Sequence, residues 1–301
     1  MSPARPLKLF ARAARYDVSV RAIGIVCTVI FRRNARSDTS EGRGQGPVAA
    51  VPAAPSLRGG PLILRLASIT AQTSDSKTLR FIVPNDRKIN ARPGQFLTFS
   101  FLFDGKKVVR SYSICSSPAT TGYVEITTKR VSDGCVSIFL NDRASVGMTV
   151  EANGPFGQFC FDENKHHNVV LLAAGSGITP MMAMLRYMDD LCVQTPVTLL
   201  YCVRTRSDII FENELEQLRS RLKNFQYRVL LSQPHAEWSG PRGRINREFI
   251  EAAVKDVMSS DFFLCGPSSF MDASRTILTD LGVKPERIKQ ESFGSAISKK
   301  P

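Results

Sequence analysis

The chain reads as two folded units, an antiparallel β-barrel followed by an α/β unit built on a doubly wound parallel sheet. Three observations predict this. Between residues 61 and 162, short apolar runs recur about every ten residues with Gly- and Pro-containing turns between them, as in a barrel or sandwich. From residue 163 onward, wholly apolar runs of strand length alternate with stretches of helical spacing, which is the pattern of βα units around a parallel sheet. At 301 residues there is material for both cores, so neither a metal nor disulfides are needed for size.

Residues 1–60 stand apart from both units. They hold ten Lys and Arg against three Asp and Glu, a net of +7 out of the chain's +13. An Arg-rich, acid-poor start is the composition of an organellar transit peptide, which would direct the chain to the mitochondrial matrix. The alternative is an extension without a targeting role, leaving a cytoplasmic chain. The most apolar part, 18–31, contains Arg21 and falls short of the roughly 20 apolar residues a bilayer requires. Residues 37–60, rich in Gly, Pro, Ala and Ser, read as a flexible linker.

The first folded unit, 61–162, opens with an alternating strand at 62–70 and a second at 78–83. Pro84-Asn85-Asp86 and Arg92-Pro93-Gly94 break the chain before strands at 95–99, 107–115 and 123–131. Within the fourth run, Arg110-Ser111-Tyr112-Ser113 puts a cation and an aromatic ring on one face of a strand and two hydroxyls on the other. That face offers a fork for a diphosphate and a flat ring for stacking. At Asp133-Gly134-Cys135-Val136-Ser137 the period changes: Val136, Phe139 and Leu140 have helical spacing, and Ser132 or Asp133 can serve as N-cap. A short helix starting there points free N–H groups outward and makes an anion site. Residues 147–152 form a strand, and Gly154-Pro155-Phe156-Gly157 reads as a tight turn.

The second unit, 163–301, begins with the buried-strand run 168–174. Gly175-Ser176-Gly177-Ile178-Thr179-Pro180 then opens a helix, its glycines allowing close backbone approach to a diphosphate and Pro180 suiting the first turn. Met181, Met182, Met184 and Met188 read as helix core. Strands at 197–203, 227–231 and 262–265 alternate with helices at 213–222, 247–254 and from Gly266-Pro267 to 281, and 288–293 closes the unit. The dinucleotide fingerprint is only partly met. Pro180 stands where a third glycine belongs, and Asp189 and Asp190 fall within the helix rather than at a strand end.

Charge and cysteine usage narrow the chemistry. Beyond residue 60 the balance is 30 basic to 24 acidic, a net of +6. That mild excess suits an acidic protein partner or an anionic cofactor as well as a nucleic acid, and no nucleic-acid-binding signature accompanies it. The seven cysteines are scattered without a C-x-x-C pair, which argues against a disulfide framework and against a zinc or iron–sulfur site. His166 and His167 read as solvated loop surface, and no metal site is expected.

Taken in order, the motifs resemble the ferredoxin–NAD(P)H reductase superfamily over roughly residues 62–294. Its R-x-Y-S motif is matched by Arg110-Ser111-Tyr112-Ser113 and its G-x-x-S motif by Gly134, Cys135, Val136 and Ser137. The nucleotide loop G-x-G-I-T-P is matched by 175–180, C-G-P by Cys265-Gly266-Pro267 and E-x-F by Glu291-Ser292-Phe293. The resemblance implies FAD as resident cofactor and NADH (or NADPH) as hydride donor. It implies that Tyr112 stacks on the flavin, that Ser113 lies near its reactive nitrogen, and that Arg110 and the 134–137 helix start hold the FAD diphosphate. Thr127 and Thr128 would add backbone contacts. Gly175, Gly177, Thr179 and Pro180 would form the nucleotide's diphosphate loop. Cys265 would sit by the nicotinamide, with Glu291 and Phe293 closing the site. Ser113, Cys265 and Glu291 are thus the expected catalytic residues.

Two departures refine the reading. No spacing for a plant-type ferredoxin cluster is present, so an iron–sulfur partner is expected to be a separate protein. NADPH users of the family commonly place Ser-Arg after the third strand of this unit, whereas this chain has Leu231-Ser232-Gln233-Pro234, so NADH is expected unless Arg204 and Arg206 compensate. The reading is an electron-transfer flavoenzyme serving a separate, acidic redox protein such as a ferredoxin, oxygenase component or cluster protein. The alternatives are a stand-alone reductase of free flavin, ferric iron or quinone, and a non-catalytic flavin-binding sensor or assembly factor.

Overall fold

In the computed structural model, residues 61–293 are described apart from 87, together with two antiparallel two-residue strands, β1 (Ala22–Ile23) and β2 (Val26–Cys27). The transit-peptide and linker expectation for 1–60 lies, apart from that strand pair, outside the described residues.

The first unit is an antiparallel six-stranded sheet of β3 (Leu62–Thr73), β4 (Ser76–Ile82), β5 (Phe96–Phe103), β6 (Lys106–Ser113), β7 (Tyr123–Lys129) and β8 (Thr149–Phe156). Its order is β6-β5-β8-β3-β4-β7. Period-2 alternation drives it: Leu64 and Leu66 of β3, and Leu97, Phe99 and Phe101 of β5, all point inward and are buried. The two end strands meet where Ile114 pairs with Ile126, so the sheet curls into a barrel rather than a sandwich. Helix α1 (Cys135–Asp142) lays Val136, Phe139 and Leu140 into this core.

Three expectations for this region need correction. The N-cap of α1 is Gly134, not Ser132 or Asp133, because the Ser137 hydroxyl turns back to the Gly134 carbonyl at 3.0 Å and receives the Val131 N–H at 3.1 Å. Gly154-Pro155 is no tight turn. The strand continues through it, with Gly154 at φ +131° and Phe156 paired to Phe96, and a register shift absorbs the irregularity. His166 is buried rather than solvated: its Nδ1 accepts the Asp162 N–H at 3.0 Å and its ring stands edge-on to Phe263 at 5.2 Å.

The second unit is a parallel five-stranded sheet of β9 (Val169–Ala174), β10 (Val197–Val203), β11 (Phe225–Leu231), β12 (Asp261–Cys265) and β13 (Ile288–Glu291), ordered β11-β10-β9-β12-β13. Strand β9 is central and buried along its whole length, as its unbroken apolar run requires. Helices α2 (Ile178–Asp190), α3 (Glu212–Arg221), α4 (Arg247–Glu251) and α5 (Ser268–Asp280) form the crossovers. The four methionines of α2 are fully buried against β9 and β10. Helix α4 is shorter than its sequence suggests, because Ala253 and Val254 turn into the core instead of extending it. Among the described residues no helix is long and apolar enough to cross a membrane.

Candidate functional site

Strand order reverses between β9 and β12, and ligands of open α/β sheets bind in the crevice at such a switch point. The loop Gly175–Gly177 leaves β9 there. Gly175 takes φ +54°, its carbonyl accepts the Tyr201 hydroxyl at 3.0 Å, and the Thr179 hydroxyl bonds the Ser176 carbonyl at 2.7 Å. Thr179 therefore fixes the loop with its side chain, and the Ile178 N–H at the start of α2 is itself taken by the Gly175 and Ser176 carbonyls. Pro180 is buried at the third position of that helix.

Across the switch point, β12 ends at Cys265 and leads into Gly266 and Pro267, the last serving as N-cap of α5. Cys265 is fully buried. Burial pushes its thiol well above the ordinary range, and the nearby Glu291 carboxylate pushes it further. In register, Cys265 lies beside Glu291 on β13. The Glu291 carboxylate reaches out of its sheet to the barrel, where Ser113 Oγ donates to Glu291 Oε2 at 3.3 Å. Burial raises the Glu291 pKa to about 7, against which the Ser113 bond pulls downward. Phe293 is exposed beyond it.

On the barrel side, Tyr112 packs edge-on to Phe99 at 6.0 Å. Burial raises its phenol pKa, and the Arg110 cation and the Cys135 thiol are both near enough to act on it. The R-x-Y-S strand and the start of α1 are therefore neighbours. Ser111 is exposed, as is Arg110, whose Nη1 donates to the Val109 carbonyl at 2.8 Å and which pairs with no carboxylate among the described residues. An uncompensated guanidinium and the unpaired N–H groups of Cys135, Val136 and Ser137, both within reach of Tyr112, are a donor set suited to a diphosphate, so the residues present fit an FAD. Thr127 and Thr128 are buried on β7. The Thr127 hydroxyl meets that of Thr78 at 2.8 Å, and Thr128 accepts from Asn141 at 3.1 Å. Their side chains are used internally, and only their backbone remains for a ligand.

One set of residues carries no motif by which the sequence alone would reveal it. Arg186 of α2 bonds the Cys115 carbonyl at 2.7 Å and Glu125 Oε2 at 3.0 Å, and grips both oxygens of Glu214 at 2.6 and 2.7 Å. Glu125 Oε1 accepts Arg80 Nε at 2.8 Å. The available signal is Glu125 itself, a carboxylate between Val124 and Ile126 on a strand with five consecutive buried residues.

Known proteins share the order of these two units. Residues 63–161 match the oxidoreductase FAD-binding domain and 171–276 the oxidoreductase NAD-binding domain. The glycine betaine monooxygenase reductase subunit of Chromohalobacter salexigens is 32% identical over 235 residues, covering 77% of this chain and 64% of that protein. The chain thus spans somewhat under two thirds of that relative's length. One component protein of the 1,2-phenylacetyl-CoA epoxidase of Escherichia coli is 30% identical over 241 residues, covering 77% of this chain and 67% of its own. Among solved structures, the flavohem-like FAD/NAD-binding domain of nitric oxide dioxygenase from Vibrio cholerae superposes with a TM-score of 0.70 at 25% identity, over 78% of this chain and 99% of that one.

Proposed function

Since the chain belongs to the oxidoreductases that pair an FAD-binding with an NAD-binding domain, the ferredoxin–NAD(P)H reductase superfamily, we propose that it takes a hydride from NADH onto FAD and passes the electrons to a separate redox carrier, such as a ferredoxin, oxygenase component or cluster protein. The observation that carries this reading is the Ser113–Glu291 bond, which joins the R-x-Y-S strand to the E-x-F strand across 178 residues. The Chromohalobacter relative is named as a reductase subunit of a monooxygenase, which supports a protein acceptor.

Bound at the barrel, FAD would supply hydride acceptance and one-at-a-time release of electrons. The chain's own residues set the geometry. Arg110 and the start of α1 would hold the FAD diphosphate, and Tyr112 would stack on its ring. The Gly175–Gly177 loop, Thr179 and Pro180 hold the nicotinamide nucleotide, and Cys265, Gly266 and Pro267 wall the crevice. Hydride transfer needs the reacting atoms within about 3–3.5 Å and water excluded. Ser113 and Cys265, both buried, flank Glu291 from opposite units. Near pH 7 the Glu291 carboxylate can hold or release a proton beside Ser113 Oγ.

The nucleotide preference reads as NADH. Arg204 pairs with Asp208 at 3.5 Å and Arg206 with Glu212 at 2.9 Å, so both cations that could grip a 2′-phosphate are already compensated. The net positive charge of the chain beyond residue 60, 30 basic residues against 24 acidic, favours an acidic carrier. The test is anaerobic: FAD-loaded protein should be yellow, bleach with NADH faster than with NADPH, and then reduce an acidic [2Fe–2S] ferredoxin at a rate that falls steeply with salt. Faster turnover with free flavin, ferric iron or quinone than with any carrier would favour the stand-alone reductase instead.

A further inference from the structure

The sequence motifs account for what each unit holds but not for what sets one unit against the other. Hydride transfer tolerates little misplacement, so the seam between the units bears directly on the reaction. Several contacts cross that seam, among them the Ser113–Glu291 bond and the Phe159 ring against Phe263 at 5.3 Å. One side chain makes two of the seam's polar bonds. Arg186 lies on α2 two turns beyond the nucleotide loop. Its guanidinium spends Nε and Nη2 on Glu214 of α3, and Nη1 on Glu125 of β7 and the Cys115 carbonyl. Cys115 follows Ile114, which closes the barrel, and lies two residues beyond Ser113; its own N–H donates to the Glu125 carbonyl at 2.9 Å. The cluster is largely shielded from water, with Arg186 18%, Glu125 10% and Glu214 29% exposed at the side chain. The Phe211 ring packs under the guanidinium at 5.2 Å, and the Phe211 N–H reaches back to Gln72 Oε1 on β3 at 3.3 Å.

A planar fork that engages two carboxylates and a carbonyl on three elements fixes direction as well as distance, which a lysine's point charge would not do. We propose that Arg186 is a positioning residue for hydride transfer: it ties the helix that carries the nucleotide loop to the barrel seam that carries Ser113, and so sets the approach of the nicotinamide to the flavin. This rests on the functional reading above. Arg186 touches neither ligand and acts through Cys115, Glu125 and Glu214.

The test compares wild type with Arg186→Met and with the double variant Arg186→Met/Glu125→Gln, which spares the fold an unpaired buried carboxylate. Anaerobic stopped flow at saturating NADH should show flavin reduction slowed about tenfold or more in both variants, with a weakened long-wavelength nicotinamide–flavin charge-transfer band and unchanged FAD retention. In the apoprotein, hydrogen exchange at the Cys115 amide should accelerate. A reduction rate and charge-transfer band within twofold of wild type, alongside a lowered melting temperature, would make Arg186 a structural clamp only and overturn the proposal. Should wild type itself fail to bleach with NADH, the functional reading fails. The cofactor-free exchange measurement then still decides whether Arg186 couples the units, and unchanged exchange would overturn that coupling too.

Discussion

Gly177 packs so closely on Cys265 that a Cβ at position 177 would stand 2.1 Å from the Cys265 carbonyl oxygen. The loop after β9 and the end of β12 therefore meet backbone to backbone, with no room for a side chain. Gly177→Ala must drive them apart, at a cost of about 1–3 kcal/mol. With the nucleotide loop displaced, kcat/KM for NADH should drop on the order of tenfold or more, while FAD stays bound. Thermal melts and steady-state kinetics check both halves, and an unchanged kcat/KM would show that the loop does not hold the nucleotide.

Glu291 makes stability depend on pH in a definite direction. Its folded pKa, about 7, lies above the ordinary 4.5, so its contribution is fully present below pH 4.5 and is lost as pH rises through 7. Glu291→Gln removes this dependence. Relative to wild type, the variant should gain roughly 2 kcal/mol between pH 4.5 and 8, a figure reduced for the partial exposure of the carboxylate. Denaturant melts across that range supply the comparison.

Ser113 holds the Glu291 pKa down through its hydrogen bond. Ser113→Ala should move the apparent pKa of the hydride-transfer rate upward and slow the step at neutral pH. A wild-type rate in stopped flow would remove Ser113 from the catalytic set.

Glu212 neutralises Arg206 at 2.9 Å on an exposed surface. Glu212→Gln should free that guanidinium for a 2′-phosphate and lower the NADH-over-NADPH preference a few-fold. The ratio of kcat/KM values for the two nucleotides measures it.

Ser137 braces the start of α1 by bonding Gly134 and Val131. Ser137→Ala should cost about 1–2 kcal/mol and weaken FAD binding about fivefold or more, as read by flavin fluorescence on dilution. Loss of stability without loss of FAD affinity would separate the brace from the cofactor site.

The parts of the fold legible from sequence are those governed by periodicity. The inward Leu64, Leu66, Leu97 and Phe99, the all-apolar β9 and the methionine face of α2 each follow from residue spacing alone. What escapes depends on partners distant in sequence. His166 looks like loop surface until Phe263, nearly a hundred residues on, covers it. The Gly154-Pro155 pair reads as a turn until pairing with Phe96 carries the strand through it. Arg186 and Glu214 are ordinary helix charges in their own segments, and Glu125, though out of place on a buried strand, gains its meaning only across the seam. The candidate site divides the same way: its motifs are visible, while the meeting of Ser113 with Glu291 is not.

Glu291 lies on β13, a four-residue edge strand that pairs, among the described residues, with β12 alone. That placement orders events during synthesis. Ser113 leaves the ribosome 178 residues before Glu291, an interval of roughly 10–40 s at typical elongation rates. Two of the barrel's five pairings, β3 with β4 and β5 with β6, join consecutive strands, contacts of the kind that form early, and the other three are complete once β8 has been made. The nascent barrel can therefore close and take up its flavin before the acid facing Ser113 has been made. An abandoned or truncated translation product would carry the cofactor pocket without the residue that completes the site.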